Sequence, residues 1–85
     1  MVYSILLAPS AERQLKTLAD STQKRIVKRL RALEQNPRPH GVKKLFGEDN
    51  LYRIREGTYR IIYTIQDKKL TVLVVKIGDR KEVYR

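Results

Sequence analysis

Arginine side chains alternate with apolar ones between Leu51 and Tyr63, where the sequence reads LYRIREGTYRIIY. Alternate side chains of a β-strand share a face. The three tyrosines of this segment, with Ile54 and Ile61, therefore fall on one face, and Arg53, Arg55 and Arg60 fall on the other. A guanidinium binds a phosphate through two parallel hydrogen bonds, so these three arginines are candidates for holding a polyanion.

The turn of this hairpin decides which arginines oppose each other. A two-residue turn at Glu56 and Gly57 pairs Arg53 with Arg60. Like charges directly opposite each other destabilise a sheet, and no acidic residue alternates with the arginines on that face. The arrangement is explained if an anion normally lies between the guanidiniums.

A second hairpin turn at 67–68 extends the pairing to a further strand. It places Ile62 opposite Leu73 and Arg60 opposite Val75, so the arginine face also carries apolar residues. We expect either that another part of the chain covers these residues or that a partner protein docks on them.

The C-terminal segment supplies two more candidates. Gly78 is able to turn the chain sharply, which would bring Arg80 and Tyr84 toward Arg53 and Arg60. Packing at a sheet edge is the alternative explanation for the tyrosine.

A strand and two helices are predicted to precede this sheet. Residues 2–7 are β-prone, Ser10 is a good N-cap for a first helix, and Ser21 caps a second helix that reaches about Gln35. The second helix is rich in basic residues, which we interpret as a solvated surface: Lys24, Arg25, Lys28, Arg29 and Arg31.

The hydrophobic period changes to two after a breaker-rich loop at 36–41, in which His40 is interpreted as a turn residue. Strands are predicted near 43–46, 50–55, 58–66, 70–77 and 81–84. The fold class is therefore α+β, with an N-terminal strand, a two-helix hairpin, and an antiparallel β-meander whose helices pack on one face of the sheet.

The composition limits the class of protein. The 85 residues predict a single domain, 1–85. The absence of cysteine excludes disulfides, thiolate zinc sites and a cysteine nucleophile, and a single histidine excludes a multi-histidine metal site. No apolar run approaches the roughly 20 residues that span a bilayer. The N-terminus also lacks the positive region of a signal peptide, so we expect a cytoplasmic protein.

Net charge points to the partner. Nineteen Lys and Arg against nine Asp and Glu give a formal charge of +10. Such a field attracts polyanions, of which nucleic acid is the commonest. An acidic protein and an anionic membrane surface are the other candidates, and a merely solubilising surface is a further alternative.

The pattern K-x-L-x-G-x-x-x-L-Y-R-I-R-x-G-x-Y-R-I-x-Y-x-I, which starts at Lys43, is followed by V-x-x-I-G-x-R and a late V-Y. Together with the helical hairpin before it, this order resembles the RelE toxins of the RelE/ParE superfamily over essentially the whole chain. The resemblance implies an mRNA interferase, the toxin of a type II toxin–antitoxin pair. Such toxins cut mRNA at the ribosomal A site without a metal or other cofactor.

The resemblance also implies partners. An acidic antitoxin, partly disordered when free, silences the toxin by binding the same surface. A higher-order complex of the two then binds operator DNA through the antitoxin. No membrane partner is expected.

Site roles follow from the same resemblance. Arg53 and Arg55 contact and orient RNA, Arg60 stabilises the phosphate, Arg80 acts in transition-state or leaving-group chemistry, and Tyr84 lies near the 2′-hydroxyl. Further RNA contacts are expected from Lys43, Lys44 and Lys81, and antitoxin contacts from Ile62, Leu73 and Val75.

One departure concerns the general base. The family's best-studied members carry lysines at the positions of Arg53 and Arg55, and a buried lysine is able to lose its proton. An arginine keeps its proton, so the base is expected to be Tyr84. Surrounding guanidiniums would lower the pKa of this tyrosine from its usual value of about 10.

Three alternatives stay open on the sequence. The first is the ParE branch, which poisons DNA gyrase, although Arg60, Arg80 and Tyr84 together favour the nuclease branch. The second is a basic module that binds RNA or the ribosome without catalysis. The third is an adaptor whose basic face docks an acidic protein.

Overall fold

A mixed β-sheet with two helices on one face makes up the described structure, which comprises residues 2–45 and 51–79 of a computed structural model. The elements are β1 (Ser4–Leu7), α1 (Pro9–Lys16), α2 (Asp20–Ala32), β2 (Lys43–Lys44), β3 (Leu51–Glu56), β4 (Tyr59–Gln66), a short 3-10 helix (Asp67–Lys69) and β5 (Thr71–Asp79). The strands lie in the order β1-β5-β4-β3-β2, with β1 parallel to β5 and the other neighbours antiparallel. The predicted α+β class is confirmed.

Both helices begin without a side-chain cap. The N-cap of α1 is Ala8, not the predicted Ser10, because Pro9 in the first turn needs no N–H partner. Ser10 instead donates its hydroxyl hydrogen bond to the carbonyl of Val75 in β5, at 3.1 Å. The predicted cap Ser21 is also wrong, since α2 follows Ala19. Neither helix of the described residues is long and apolar enough to cross a membrane.

The hydrophobic core lies between the helices and one face of the sheet. The helix side of this core consists of Ala11, Ile26, Leu30 and Leu33. Helix α2 itself ends at Ala32, three residues before the predicted end at Gln35. The sheet side consists of fully or almost fully buried residues: Tyr52, Ile54, Ile61, Tyr63, Ile65, Val72, Val74 and Ile77.

The turn of the β3–β4 hairpin lies one residue later than predicted, which shifts the pairing of the two strands by two residues. Gly57 and Thr58 form the turn, so Arg55 lies opposite Arg60 and the predicted Arg53–Arg60 pair is wrong. Gly57 has φ +62°, which suits the first position of a type II′ hairpin turn. Because a shift of two residues keeps each side chain on its face, the predicted division into an apolar and an arginine face is confirmed.

The predicted pairs Ile62–Leu73 and Arg60–Val75 are wrong, because the turn at Asp67–Lys69 is longer than two residues and a β-bulge then adds one residue to β5. Thr71–Val74 pair with Gln66–Tyr63, Lys76 pairs with Ile62, and Val75 is the extra residue. Without the bulge, Lys76 would face the core and Ile77 would face away from it. The bulge exchanges the two, so that Ile77 is buried and Lys76 joins the arginine face.

The loop after α2 is attached to the sheet by polar contacts. Tyr63 donates its buried hydroxyl to the carbonyl of Pro37 at 2.8 Å. Arg38 donates two hydrogen bonds to Asp67, at 2.9 and 3.1 Å, and the Tyr3 hydroxyl donates a third at 2.7 Å. The hydrogen bonds from Arg38 first, and then that from Tyr3, lower the pKa of Asp67 to about 2.

Candidate nucleic-acid interface

The face of the sheet that points away from α1 and α2 carries five cationic side chains, which we call the cationic cluster. Strand pairing sets two rows of them. One row of paired residues crosses the sheet from β2 through β3 and β4 to β5, and the other joins β3 to β4. The first row is Lys43, Arg53, Ile62 and Lys76, and the second is Arg55 and Arg60.

Burial divides the cluster into two buried and three exposed charges. Arg53 and Arg60 are only 8% and 4% exposed, and each has a partner within the chain. Burial, and then the charge on Arg55, lower the pKa of Arg53 from its usual value. A guanidinium nevertheless stays protonated at neutral pH, so both buried arginines present permanent charges held in place by the sheet.

The pair of Arg55 and Arg60 is the unusual feature of this face. Two like charges directly opposite each other on a sheet cost about 0.2–1 kcal/mol. Arg55 is exposed, and within residues 2–45 and 51–79 it forms no ion pair that would offset this cost. An anion between the two guanidiniums would convert the repulsion into attraction.

Apolar residues border the cluster on the β1 side. Leu6 is 55% exposed and lies opposite the half-buried Leu73. Of the other residues predicted to contact an antitoxin, Ile62 is buried between Arg53 and Lys76 in the register, and Val75 is the bulge residue. The face is therefore basic at one end and apolar at the other.

Not all predicted site residues lie on this face. Lys44 is opposite Tyr52 and thus on the other face of the sheet. Gly78 lies within β5 opposite Arg60, instead of turning the chain as predicted. Three predicted site residues, together with the predicted strand 81–84, lie outside the described residues: Arg80, Lys81 and Tyr84.

Lys76 is the member of the cluster that the sequence did not predict. An uninterrupted alternation from Val72 and Val74 places Lys76 on the core face. That placement would bury the charge of Lys76 and leave the apolar Ile77 on the outer face. The cost of burying an unpaired lysine was the signal in the sequence against it. In the described parts of the chain, no group of three or more His, Asp and Glu side chains is placed to share a metal ion.

Comparison with known proteins decides the family. The family described as the ParE toxin of type II toxin–antitoxin systems, parDE, matches residues 5–84. The chain belongs to the ParE toxin family. The chain is also similar to the mRNA interferase toxin RelE of Escherichia coli K12, to which it is 30% identical over 88 aligned positions, covering 99% of this chain and 92% of the relative.

Two solved structures share the fold of this ParE-family toxin. The archaeal RelE–RelB complex from Pyrococcus horikoshii OT3 matches with a TM-score of 0.83 at 29% identity, covering 94% of this chain and 97% of that one. The toxin–antitoxin complex RelBE2 from Mycobacterium tuberculosis matches with a TM-score of 0.84 at 27% identity, covering 94% and 93%. The protein is thus a RelE-like toxin of a type II toxin–antitoxin system, and the resemblance seen in the sequence is confirmed.

Proposed function

We propose that this RelE-like toxin is an endoribonuclease that cuts mRNA in the A site of the ribosome and so inhibits translation in the cytoplasm. The observation that carries the proposal is the opposed pair of Arg55 and Arg60, with Arg53 buried beside them. Such an arrangement is unfavourable for an isolated sheet and favourable around a phosphate. The name of the E. coli relative, an mRNA interferase, supports the same activity.

The reaction is an attack by the ribose 2′-hydroxyl on the adjacent phosphorus. The 2′-oxygen–phosphorus bond forms as the bond from phosphorus to the 5′-oxygen breaks, leaving a 2′,3′-cyclic phosphate and a 5′-hydroxyl. Tyr84, as the phenolate, takes the proton of the 2′-hydroxyl as the general base. Water supplies the proton that the departing 5′-oxygen takes up, and Arg80 stabilises the charge that develops on this oxygen.

Arg60 stabilises the negative charge that builds on the phosphoryl oxygens. Its burial in β4 supports this role, because a cation that is already fixed does not reorganise during the reaction. Fixed guanidiniums supply the positive charge, so the chemistry is expected to need no metal. Charge of this kind stabilises the transition state more than the ground state, which raises the rate.

Positioning of the RNA falls to the other cations of the face. Arg53 and Arg55 hold the backbone, and Lys43 and Lys76 extend the basic row on either side of them. Lys44 and Lys81 stay predictions of further RNA contact. Most such contacts go to phosphates and orient the strand without reading its sequence.

An acidic antitoxin is the proposed protein partner. The solved RelE–RelB complex with the same fold supports this proposal. The antitoxin would cover the cationic cluster with acidic residues and the exposed Leu6–Leu73 strip with apolar ones. Val75 and Ile62 adjoin that strip. A larger complex of toxin and antitoxin would then bind operator DNA through the antitoxin.

Programmed ribosomes test the proposal. Purified toxin is added to ribosomes that carry a defined mRNA with an empty A site, and cleavage is mapped to the nucleotide. We expect wild type to cut in the A site and to leave a 2′,3′-cyclic phosphate, Tyr84→Phe to lose cleavage but keep ribosome binding, and Lys68→Gln to cut normally. Intact mRNA, together with DNA breaks in a parallel gyrase reaction, would overturn the proposal.

A further inference from the structure

The loop between α2 and β2 carries one member of the cationic cluster, Lys43, to its place on the sheet. Lys43 belongs to β2, which has two residues, lies at the edge of the sheet and pairs with β3. Strands of globular proteins usually have about 5–6 residues, so a ladder of two pairs gives β2 little hold of its own. The position of Lys43 therefore depends on what fixes the preceding loop, residues 36–42.

Arg38 joins this loop to two separate parts of the sheet. Its guanidinium donates hydrogen bonds of 2.9 and 3.1 Å to the carboxylate of Asp67, in the turn before β5. The same guanidinium lies 5.4 Å from the centroid of the Tyr52 ring, which is a cation–π distance. A bidentate pair fixes the orientation of its two partners as well as their separation. We call Arg38, Tyr52 and Asp67 the loop clamp.

Tyr52 connects the loop clamp to the pairing of β2 with β3. It lies opposite Lys44, and the next pair along the two strands is Arg53 with Lys43. Arg38 is thus held against the residue of β3 on which β2 is aligned.

The loop around Arg38 is held at both ends. Tyr63 donates its hydroxyl to the carbonyl of Pro37 at 2.8 Å, and the N–H of Val42 donates to the carbonyl of Pro39 at 3.0 Å. A segment bonded on either side of Arg38 transmits the position of this residue to β2, which follows Val42 directly.

We propose that Arg38 is a positioning residue of the RNA-binding face: through the loop clamp it holds β2 against β3 and so keeps Lys43 beside Arg53. The inference rests on the proposed function, because it takes RNA to be the ligand of the cationic cluster. Arg38 acts from the other side of the sheet, since the Tyr52 ring that it contacts belongs to the core between sheet and helices. Its effect on RNA is therefore exerted through Lys43.

The carboxylate of Asp67 gives this proposal a distinctive consequence. Removal of an acidic side chain from a protein of net charge +10 ordinarily strengthens its attraction for a polyanion. Asp67→Asn removes the charge that receives the two hydrogen bonds of Arg38, so it weakens the loop clamp while it raises the net charge from +10 to +11. The proposal predicts weaker RNA binding in spite of the added charge.

Four variants and a control test the proposal. The variants are Arg38→Gln, Lys43→Gln, the double variant Arg38→Gln/Lys43→Gln, and Asp67→Asn. Ile26→Val, which removes a methylene from the core far from the loop, controls for a general loss of stability. Binding is measured by fluorescence anisotropy over a range of salt concentrations with a single-stranded 2′-O-methyl RNA, which lacks the 2′-hydroxyl needed for cleavage.

Loss of the Lys43 contact sets the size of the expected effect. One phosphate contact on a single strand contributes about 0.7 to the slope of log K against log salt, which is about fivefold in affinity at 0.1 M salt. Lys43→Gln should lose about this much, and Arg38→Gln and Asp67→Asn should approach the same loss because β2 no longer holds Lys43 in place. The double variant should bind no more weakly than Lys43→Gln alone.

The salt slope separates positioning from mere destabilisation. An unfolded fraction lowers the concentration of active toxin but leaves the number of phosphates that a folded molecule contacts unchanged. Ile26→Val should therefore keep the wild-type slope, whereas Arg38→Gln should have a shallower one. In the ribosome assay Arg38→Gln should need more ribosomes for half-maximal cleavage and keep the wild-type rate at saturation, since Lys43 does not touch the reacting atoms.

Three results would overturn the proposal. The first is a wild-type affinity and slope for Arg38→Gln, and the second is tighter binding by Asp67→Asn, as its charge alone predicts. The third is additive losses in the double variant, which would mean that Arg38 contacts RNA itself. Failure of the proposed function is distinguishable from all three, because a toxin that shows the expected binding pattern and leaves ribosomal mRNA intact contradicts that function and supports this inference.

Discussion

The opposed guanidiniums of Arg55 and Arg60 predict that one substitution will stabilise the fold and impair the activity. Arg55→Gln removes the exposed member of the pair and leaves the buried one in place. Opposed cross-strand side chains have Cβ atoms about 5 Å apart, and two unit charges at about that spacing in a water-like dielectric repel by about 0.8 kcal/mol. This value lies within the range of about 0.2–1 kcal/mol for cross-strand pairs.

Thermal unfolding measures the gain in stability. A change of 1 kcal/mol moves the midpoint by about 4–8 °C in a domain of this size, so Arg55→Gln should melt about 3–6 °C above wild type at low salt. Lys68→Gln makes the same change in net charge far from the pair and corrects for the protein's overall repulsion. At 1 M salt, where the Debye length falls to about 3 Å, most of the difference should disappear.

Activity should move in the opposite direction. Arg55→Gln loses a phosphate contact, so it should bind RNA more weakly and cut ribosomal mRNA more slowly than Lys68→Gln. A variant no more stable than Lys68→Gln at low salt would refute the reasoning about the pair. A variant that is more stable but cuts mRNA as fast as Lys68→Gln would show that the two arginines repel each other but do not bind the phosphate of RNA.

Three further predictions concern the scaffold. Tyr63→Phe leaves the carbonyl of Pro37 without its hydrogen bond and should lower the free energy of unfolding in urea by about 1–3 kcal/mol; an unchanged urea midpoint would contradict that bond. Asp67 has a pKa of about 2 instead of 3.8 because Arg38 binds it, so its contribution to stability is complete above about pH 4 and is lost as the pH falls through 2. The difference in unfolding free energy between wild type and Asp67→Asn should therefore narrow from pH 5 to pH 2, and a constant difference would exclude the linkage. Gly57→Ala should cost about 1–2 kcal/mol through its φ of +62°, since the nearest atom to a Cβ there, a guanidinium nitrogen of Arg25 at 3.6 Å, is at ordinary van der Waals distance. A neutral effect in the same urea titration would exclude strain at the turn.

Side-chain alternation was sufficient to predict the two faces of the sheet but not the register. Arg53, Arg55 and Arg60 share a face at any register shift of an even number of residues. The position of the turn depends on one choice, whether Gly57 is the first or the second loop residue. A type II′ turn takes glycine first, and that geometry decides which arginine opposes which.

The bulge was not predictable from alternation because it interrupts the alternation. An alternation that starts from Val72 and Val74 puts even-numbered residues of β5 in the core, whereas burial of Ile77 requires an odd-numbered residue there. Burial of Ile77 determines the outcome, and Lys76 becomes part of the cationic cluster as a consequence.

Helix capping and loop attachment depend on contacts distant in sequence. Ser10 has the side chain of an N-cap, but in the fold its hydroxyl bonds to Val75, 65 residues away. Arg38 and Asp67 are 29 residues apart and join the loop to the turn before β5. Local propensity carries no information about such pairs, whereas the motif order that indicated a RelE-like toxin spans the chain and predicted the family.

Cleavage of mRNA on programmed ribosomes by wild type, Arg60→Gln and Lys68→Gln is the most direct test of the proposed activity. The buried charge of Arg60 is proposed to stabilise the phosphoryl oxygens, and loss of such a contact typically slows a reaction by about 100-fold or more. We predict A-site cleavage by wild type and Lys68→Gln, and a single-turnover rate at least about 100-fold lower for a folded Arg60→Gln. Equal rates for all three proteins, or intact mRNA with wild type, would contradict the proposal that this arginine face cuts RNA.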